Sequence, residues 1–141
     1  MSSTLGSAID ASASALDAQR VRMEVAVSNL ANAESTRGPD GQPYRRREVV
    51  LQSVPFDQQI GATPAASGVR VAAVIEDQAD FRRRYEPSHP DADADGYVAV
   101  PNVDVPEEMV DMLGAARAYQ ANLMAIGLIR DTIQRALELA K

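Results

Sequence analysis

The sequence predicts an α+β fold: long N- and C-terminal helices paired as a coiled coil, with a small β-rich middle module between them. Three observations predict it. Along the C-terminal stretch, apolar positions step by four and three residues at Val105, Met109, Met112, Ala116, Tyr119, Leu123, Ile126, Ile133, Leu137 and Ala140, with Arg130 inside the series. The same alternation runs through Ile9, Ala13, Leu16, Arg20, Met23, Val27 and Leu30 near the N-terminus. Between these stretches the apolar period shortens to two. Steps of four and three belong to helices that pack seam to seam, and a period of two belongs to strands. The chain therefore divides into an N-terminal helix at 1–36, a β-rich module with loops at 37–103 and a C-terminal helix at 104–141.

The first helix is predicted from about Ser3 to about Glu34, a rod of roughly 48 Å at ~1.5 Å per residue. Arg37-Gly38-Pro39-Asp40-Gly41 stops it, because glycine and proline punctuate helices. Its first half is Ala11, Ser12, Ala13, Ser14 and Ala15, with little apolar area to bury. That half is expected to fray or stay disordered in the free chain. Tyr44 to Leu51 reads as a strand carrying Arg45, Arg46 and Arg47, and Pro55 to Ser67 reads as a flexible loop. Val69, Val71, Ala73 and Ile75 alternate in a second strand, and Phe81, Arg83 and Tyr85 in a third. Pro87 to Gly96 is turn-rich, and Tyr97 to Val100 is a short fourth strand. Together the strands read as a small meander. Pro101 ends it, and Pro106 is expected at the first helical position of the last helix. Glu107 and Glu108 suit the positive end of that helix, and Lys141 suits the negative end.

A second row on the last helix is mostly small: Val110, Gly114, Ala118, Ala121, Ala125 and Leu128. Small residues let another helix approach closely. A helix with two faces to bury needs more than one partner, so packing among several helices is expected. Arg20 and Arg130 interrupt the two seams, where a polar side chain can set register or reach to the edge.

Composition narrows the function. The chain has 141 residues, and alanine supplies much of its 45% hydrophobic content, while aromatics are 4%. A large, well-filled core is not expected from one copy. A net charge of −6 argues against nucleic-acid binding, which needs a basic footprint. There is no cysteine, so disulfides and thiolate chemistry are excluded. No apolar run approaches the ~20 residues of a membrane span. The first basic residue is Arg20, so no Sec-type leader with a charged start is visible.

Candidate chemical sites are weak. Asp91, Asp93, Asp95 and Gly96 follow the opening pattern of a calcium loop, but the twelfth position is Asn102 and not Glu. A solvated acidic turn is the expected reading, with calcium binding as the alternative. The single histidine, His89, sits before Pro90 in a turn, without a nucleophile to serve. The runs Arg45–Arg47 and Arg82–Arg84 are expected to pair with the acidic turn and the helix ends. No phosphate loop, dinucleotide fingerprint or paired zinc ligands occur. No enzyme activity, metal or cofactor is expected.

Two stretches are more specific. Ser28-Asn29-Leu30-Ala31-Asn32-Ala33-Glu34-Ser35-Thr36 closes the first helix. Asn102-Val103-Asp104-Val105-Pro106-Glu107-Glu108-Met109-Val110-Asp111-Met112 opens the last and continues into Ala116-Arg117-Ala118-Tyr119-Gln120-Ala121-Asn122. These resemble the N- and C-terminal signatures of the bacterial flagellar rod and hook axial proteins. Residues 37–46 and 89–98, in a middle without large insertions, resemble those of the proximal rod members.

The resemblance implies a structural subunit of the proximal rod, part of the drive shaft that transmits torque from motor to hook. It implies export by the flagellar type III apparatus without a cleaved signal, and a place in the basal body across the periplasm. The implied partners are other rod proteins, copies of the chain and a FliE-type adaptor. The terminal helices would line the tube, with the β-rich middle outside. The implied assembly residues are Ser28, Asn29, Leu30, Ala31, Asn32, Asn102, Val103, Asp104, Glu107, Glu108, Met109, Met112, Arg117, Tyr119, Gln120 and Asn122. Asn29 to Asn32 could cap the helix end or bond a neighbouring backbone. A soluble coiled-coil adaptor or regulatory protein is the alternative reading.

Overall fold

The computed structural model describes residues 2–55 and 67–139. The elements are α1 (Ser2–Ala31), β1 (Arg47–Pro55), β2 (Ser67–Glu76), β3 (Arg82–Tyr85), β4 (Tyr97–Val100) and α2 (Val105–Leu139). The loop expected between β1 and β2, and Ala140 and Lys141, lie outside the described residues.

Helix α1 is unbroken from Ser2 through its alanine-rich half, where the Ser12 and Ser14 hydroxyls bond the carbonyls of Ala8 and Ala11. It stops three residues before Glu34. Asn32 turns its amide back onto the Ser28 carbonyl at 2.8 Å, so side chain and backbone together close the last turn. Helix α2 is capped by Asp104, whose carboxylate accepts the Glu107 N–H at 3.2 Å. Pro106 is thus the second helical residue and not the first. Its missing N–H still falls where no helical partner exists.

The two helices run antiparallel, with Asn29 against Glu108 and Arg22 against Asp111. The pairing is as expected, but its phase is not. On α2 the side facing α1 carries Glu108, Met112, Ala115, Tyr119, Asn122, Ile126, Ile129 and Ile133, all buried or half-buried in steps of four and three. Met112, Tyr119, Ile126 and Ile133 belong to the expected series. Met109, Leu123 and Leu137 of that series are more than half exposed. On α1 the closed positions are Ala18, Ala26 and Asn29, while Ala13, Arg20 and Val27 are exposed. The reason is steric: alanines opposite one another let the backbones come close, and bulkier side chains flank the contact.

The middle module is not one meander. It forms two separate antiparallel ribbons, β1–β2 and β3–β4. Asp77 accepts the Ala79 N–H at 2.8 Å just after β2, which turns the chain before it reaches β3. Strand β1 begins at Arg47 and not at Tyr44, because its partner β2 ends at Glu76, opposite Arg47. An extra residue on β2, Ala72, makes a bulge opposite Val50 and Leu51. The ribbon lies along α1, where the Val69 N–H bonds the Ser14 hydroxyl at 3.1 Å.

Among the described residues, the buried hydrophobic side chains are few and small: Ala18, Ala26, Val98, Val100, Val103 and Ala115. The turn before β4 depends on Gly96, whose φ is +81°. A Cβ there would lie 2.9 Å from Tyr85 Cε2 and 3.1 Å from Pro87 Cβ. Gly96→Ala is therefore expected to cost about 1–3 kcal/mol, measured as a lower midpoint in thermal melts of the free chain. An unchanged midpoint would show that the turn relaxes freely.

Candidate functional site

The two signature stretches meet at one buried polar node. Asn29, at the end of α1, is fully buried, and its amide makes four hydrogen bonds. The Nδ2 donates to the Arg47 carbonyl and to Glu108 Oε2, each at 2.9 Å. The Oδ1 accepts from the Arg47 N–H and from the Tyr44 hydroxyl, also at 2.9 Å. That satisfies the full capacity of a primary amide. Glu108, 1% exposed, receives the Arg46 Nε at 2.6 Å on its other oxygen. Burial alone would lower the Arg46 pKa, and the Glu108 bond and charge outweigh it, so the guanidinium is held above its ordinary value.

Elements far apart in sequence are thus tied at one point: α1 through Asn29, the start of the β1 ribbon through Arg46 and Arg47, and α2 through Glu108. Ser28 adds a contact to the Tyr44 hydroxyl at 3.2 Å. Outside the node, Arg22 and Asp111 pair at 2.7 Å between the helices.

The other arginines divide the acidic groups among them. Arg83 pairs with Asp93 at 2.7 Å, and Arg84 with Glu34 at 2.7 Å. Arg47 pairs with Glu76 across the ribbon at 3.5 Å. Arg45 stacks over Phe81, with its guanidinium carbon 4.5 Å from the ring centre. Arg82 bonds the Val103 carbonyl. Two carboxylates of the acidic turn, Asp91 and Asp93, are likewise committed to protein donors. Asp91 takes the Thr36 hydroxyl and the Arg37 guanidinium. The N–H of Tyr97, then that of Asp95 and the charge of Arg83, hold Asp93 below the usual carboxylate range.

The residues named from sequence do not form one cluster. Ser28, Asn29 and Glu108 meet at the node, and Glu107 lies at its rim, 4.0 Å from Arg46. Leu30 is half-buried and Ala31 exposed beside it, while Asn32 closes α1. Asn102 reaches Asp77 at 3.4 Å, Val103 is buried, and Asp104 caps α2. Met112, Tyr119 and Asn122 follow the α1-facing seam, with the Asn122 amide on the Ala118 carbonyl. Met109, Arg117 and Gln120 are exposed on the other side. Tyr44 and Arg22 were not singled out from sequence. The tyrosine's place beside the arginine run was the one signal available.

Comparison with known proteins gives this node its setting. Residues 9–39 match the family described as flagella basal body rod protein. Residues 94–139 match the flagellar basal body rod FlgEFG protein C-terminal family. The chain is 48% identical to the flagellar basal-body rod protein FlgC of Salmonella typhimurium, over 94% of this chain and 95% of that one. It is 44% identical to FlgC of Bacillus subtilis, over 94% and 96%, and 40% identical to FlgC of Aquifex aeolicus, over 93% of each. The chain belongs to the flagellar basal-body rod FlgC family. The two family matches cover α1 from residue 9 with the turn after it, and β4 with α2, so they join at the Asn29–Glu108 contact. This is a family of structural rod subunits and not of enzymes, and the comparisons give no support to the soluble-adaptor alternative. Other components of the flagellar rod are its partners. Among the described residues, no helix is long and apolar enough to cross a membrane.

Proposed function

We propose that this chain is a proximal rod subunit that builds its section of the drive shaft by helix packing and transmits torque from motor to hook. One observation carries the reading. Helix α2 pairs with α1 along one side only, and its other side shows Met124 at 64% exposure and Leu128 at 68%. In a chain of the rod family, that apolar side suits burial against neighbouring subunits. The sequence-named residues then fall into two sets. Ser28, Asn29, Leu30, Asn32, Asn102, Val103, Asp104, Glu107, Glu108, Met112, Tyr119 and Asn122 order the subunit, and Ala31, Met109, Arg117 and Gln120 meet neighbours.

The same reading takes the chain through the flagellar type III export apparatus without a cleaved signal. It places the subunit in the periplasmic part of the basal body, beside a FliE-type adaptor, other rod proteins and its own copies. It also divides the chain into terminal helices that line the tube and a β-rich module outside, with the alanine-rich start of α1 becoming fully ordered only there. Leu128→Glu tests the packing. The free chain should keep its stability to within about 0.5 kcal/mol, as for an exposed substitution. Rod assembly and motility should be lost in a strain whose own copy is replaced by the variant. A motile strain would contradict the proposal.

A further inference from the structure

The register of the β1–β2 ribbon shows which backbone groups of β1 point outward. The Asp77 N–H donates to the Arg46 carbonyl at 2.8 Å, so Arg46 faces β2 and Arg47 faces away. At the other end, the Val69 N–H goes to Ser14 and not to β1, so Ser53 opposite it also faces away. Arg47, Val49, Leu51 and Ser53 therefore present N–H and C=O groups on the outer edge. At Arg47 the Asn29 amide takes both groups, as a neighbouring strand would. Past Arg47, among the described residues, β1 has a strand only on its β2 side.

Val49 and Leu51 line a groove of about 470 Å³ whose other apolar lining is Val25, Ala26 and Val110. The cations at its rim are already paired: Arg22 with Asp111, Arg46 with Glu108, Arg47 with Glu76. An open strand edge, an apolar lining and cations already paired, with Glu48 of the lining left without an ion pair among the described residues, fit an extended segment free of acidic side chains that adds as a strand. The chain itself displays one. Ala72 to Ile75 of β2 is exposed and uncharged, and within the chain it already pairs with β1, Val74 opposite Val49.

We propose that the outer edge of β1 receives the Ala72–Ile75 stretch of a second copy, so that neighbouring subunits are joined by strand addition as well as by helix packing. Such a contact is head-to-tail, with different surfaces on the two partners, and therefore propagates along an array. The inference rests on the rod-subunit reading.

The chain has no cysteine, so engineered thiols report cleanly. A chain carrying Leu51→Cys and a chain carrying Val74→Cys are expressed together, and purified basal bodies are treated with a short bis-maleimide. The expected result is a cross-linked dimer containing one of each chain, formed at least about tenfold above either variant alone. No mixed dimer, or no more than with Asp10→Cys in place of Leu51→Cys, overturns the proposal. Hydrogen exchange on the unaltered protein decides the matter if the variants do not assemble. The Val49 and Leu51 amides should slow at least about tenfold from free chain to basal body. Equal exchange overturns the proposal, and so does slowing without the mixed dimer in variants that do assemble, because another occupant then holds the edge. If thiols on the exposed side of α2 are protected in basal bodies while these amides are not, strand addition fails and the rod reading stands. If neither is protected, the rod reading itself fails.

Discussion

Replacing Asn29 by Ala should lower the stability of the free chain by about 3 kcal/mol, a large effect for one exchange of a neutral side chain. The side chain makes four hydrogen bonds in a fully buried position. Its loss leaves the Arg47 backbone groups and one Glu108 oxygen without their partner and the Tyr44 hydroxyl with Ser28 alone, and unsatisfied buried groups cost about 1–3 kcal/mol each before relaxation. Thermal or urea melts of the purified chain check this, with a fall in midpoint of roughly 10 °C expected for a chain of this size. Asn29→Asp should also destabilise, because a carboxylate cannot donate to Glu108 and would repel it. A melt indistinguishable from that of the unaltered chain would show that the node is ornamental.

Glu108→Ala should be at least as damaging, at about 3–5 kcal/mol. It removes a carboxylate that is 1% exposed and leaves the Arg46 guanidinium, itself mostly covered, beside an empty site. Glu108→Gln separates charge from hydrogen bonding. Its amide oxygen can still accept from Asn29, so the expected loss is smaller, about 1–2 kcal/mol. The pair Asn29→Leu with Glu108→Leu should cost less than the sum of the two single changes. Groups that satisfy each other are coupled, and removing both leaves less unpaired than removing one. Strict additivity would mean that each side chain acts alone.

Much of this fold is legible in the sequence. Both helices show in their spacing, and Asn32 and Asp104 sit where helix ends need polar side chains. The four strands show in their alternation and turns. The phase of the helix pair does not. Helix α2 carries apolar residues on more than one side, and spacing alone cannot say which side faces α1. The large residues Met109 and Leu123 suggest one seam, while Ala115 with Ala18 and Ala26 forms the closed one. A chain that keeps an apolar face for its neighbours misleads in this way, because the strongest stripe need not be the one covered within the subunit. The pairing of strands was hidden for a different reason: alternation marks a strand but not its partner, and the turn built by Asp77 separates the two ribbons.

The node itself was half legible. Asn29 and Glu108 both stand in the signature stretches, yet they are 79 residues apart, and nothing local says that they touch. Arg46 was expected to find an acidic partner, but a buried glutamate at the start of α2 rather than an exposed one had no sequence signal. Tyr44 reads as the start of a strand that in fact begins three residues later.

The central claim is that the side of α2 turned away from α1 is buried by neighbouring subunits. The most direct measurement is maleimide labelling of Met124→Cys and Leu128→Cys in an otherwise cysteine-free chain, once as purified free protein and once in intact basal bodies. Rapid labelling of both thiols in the free chain and strong protection of both in the basal body is the predicted result. Equal labelling in the two states would contradict it.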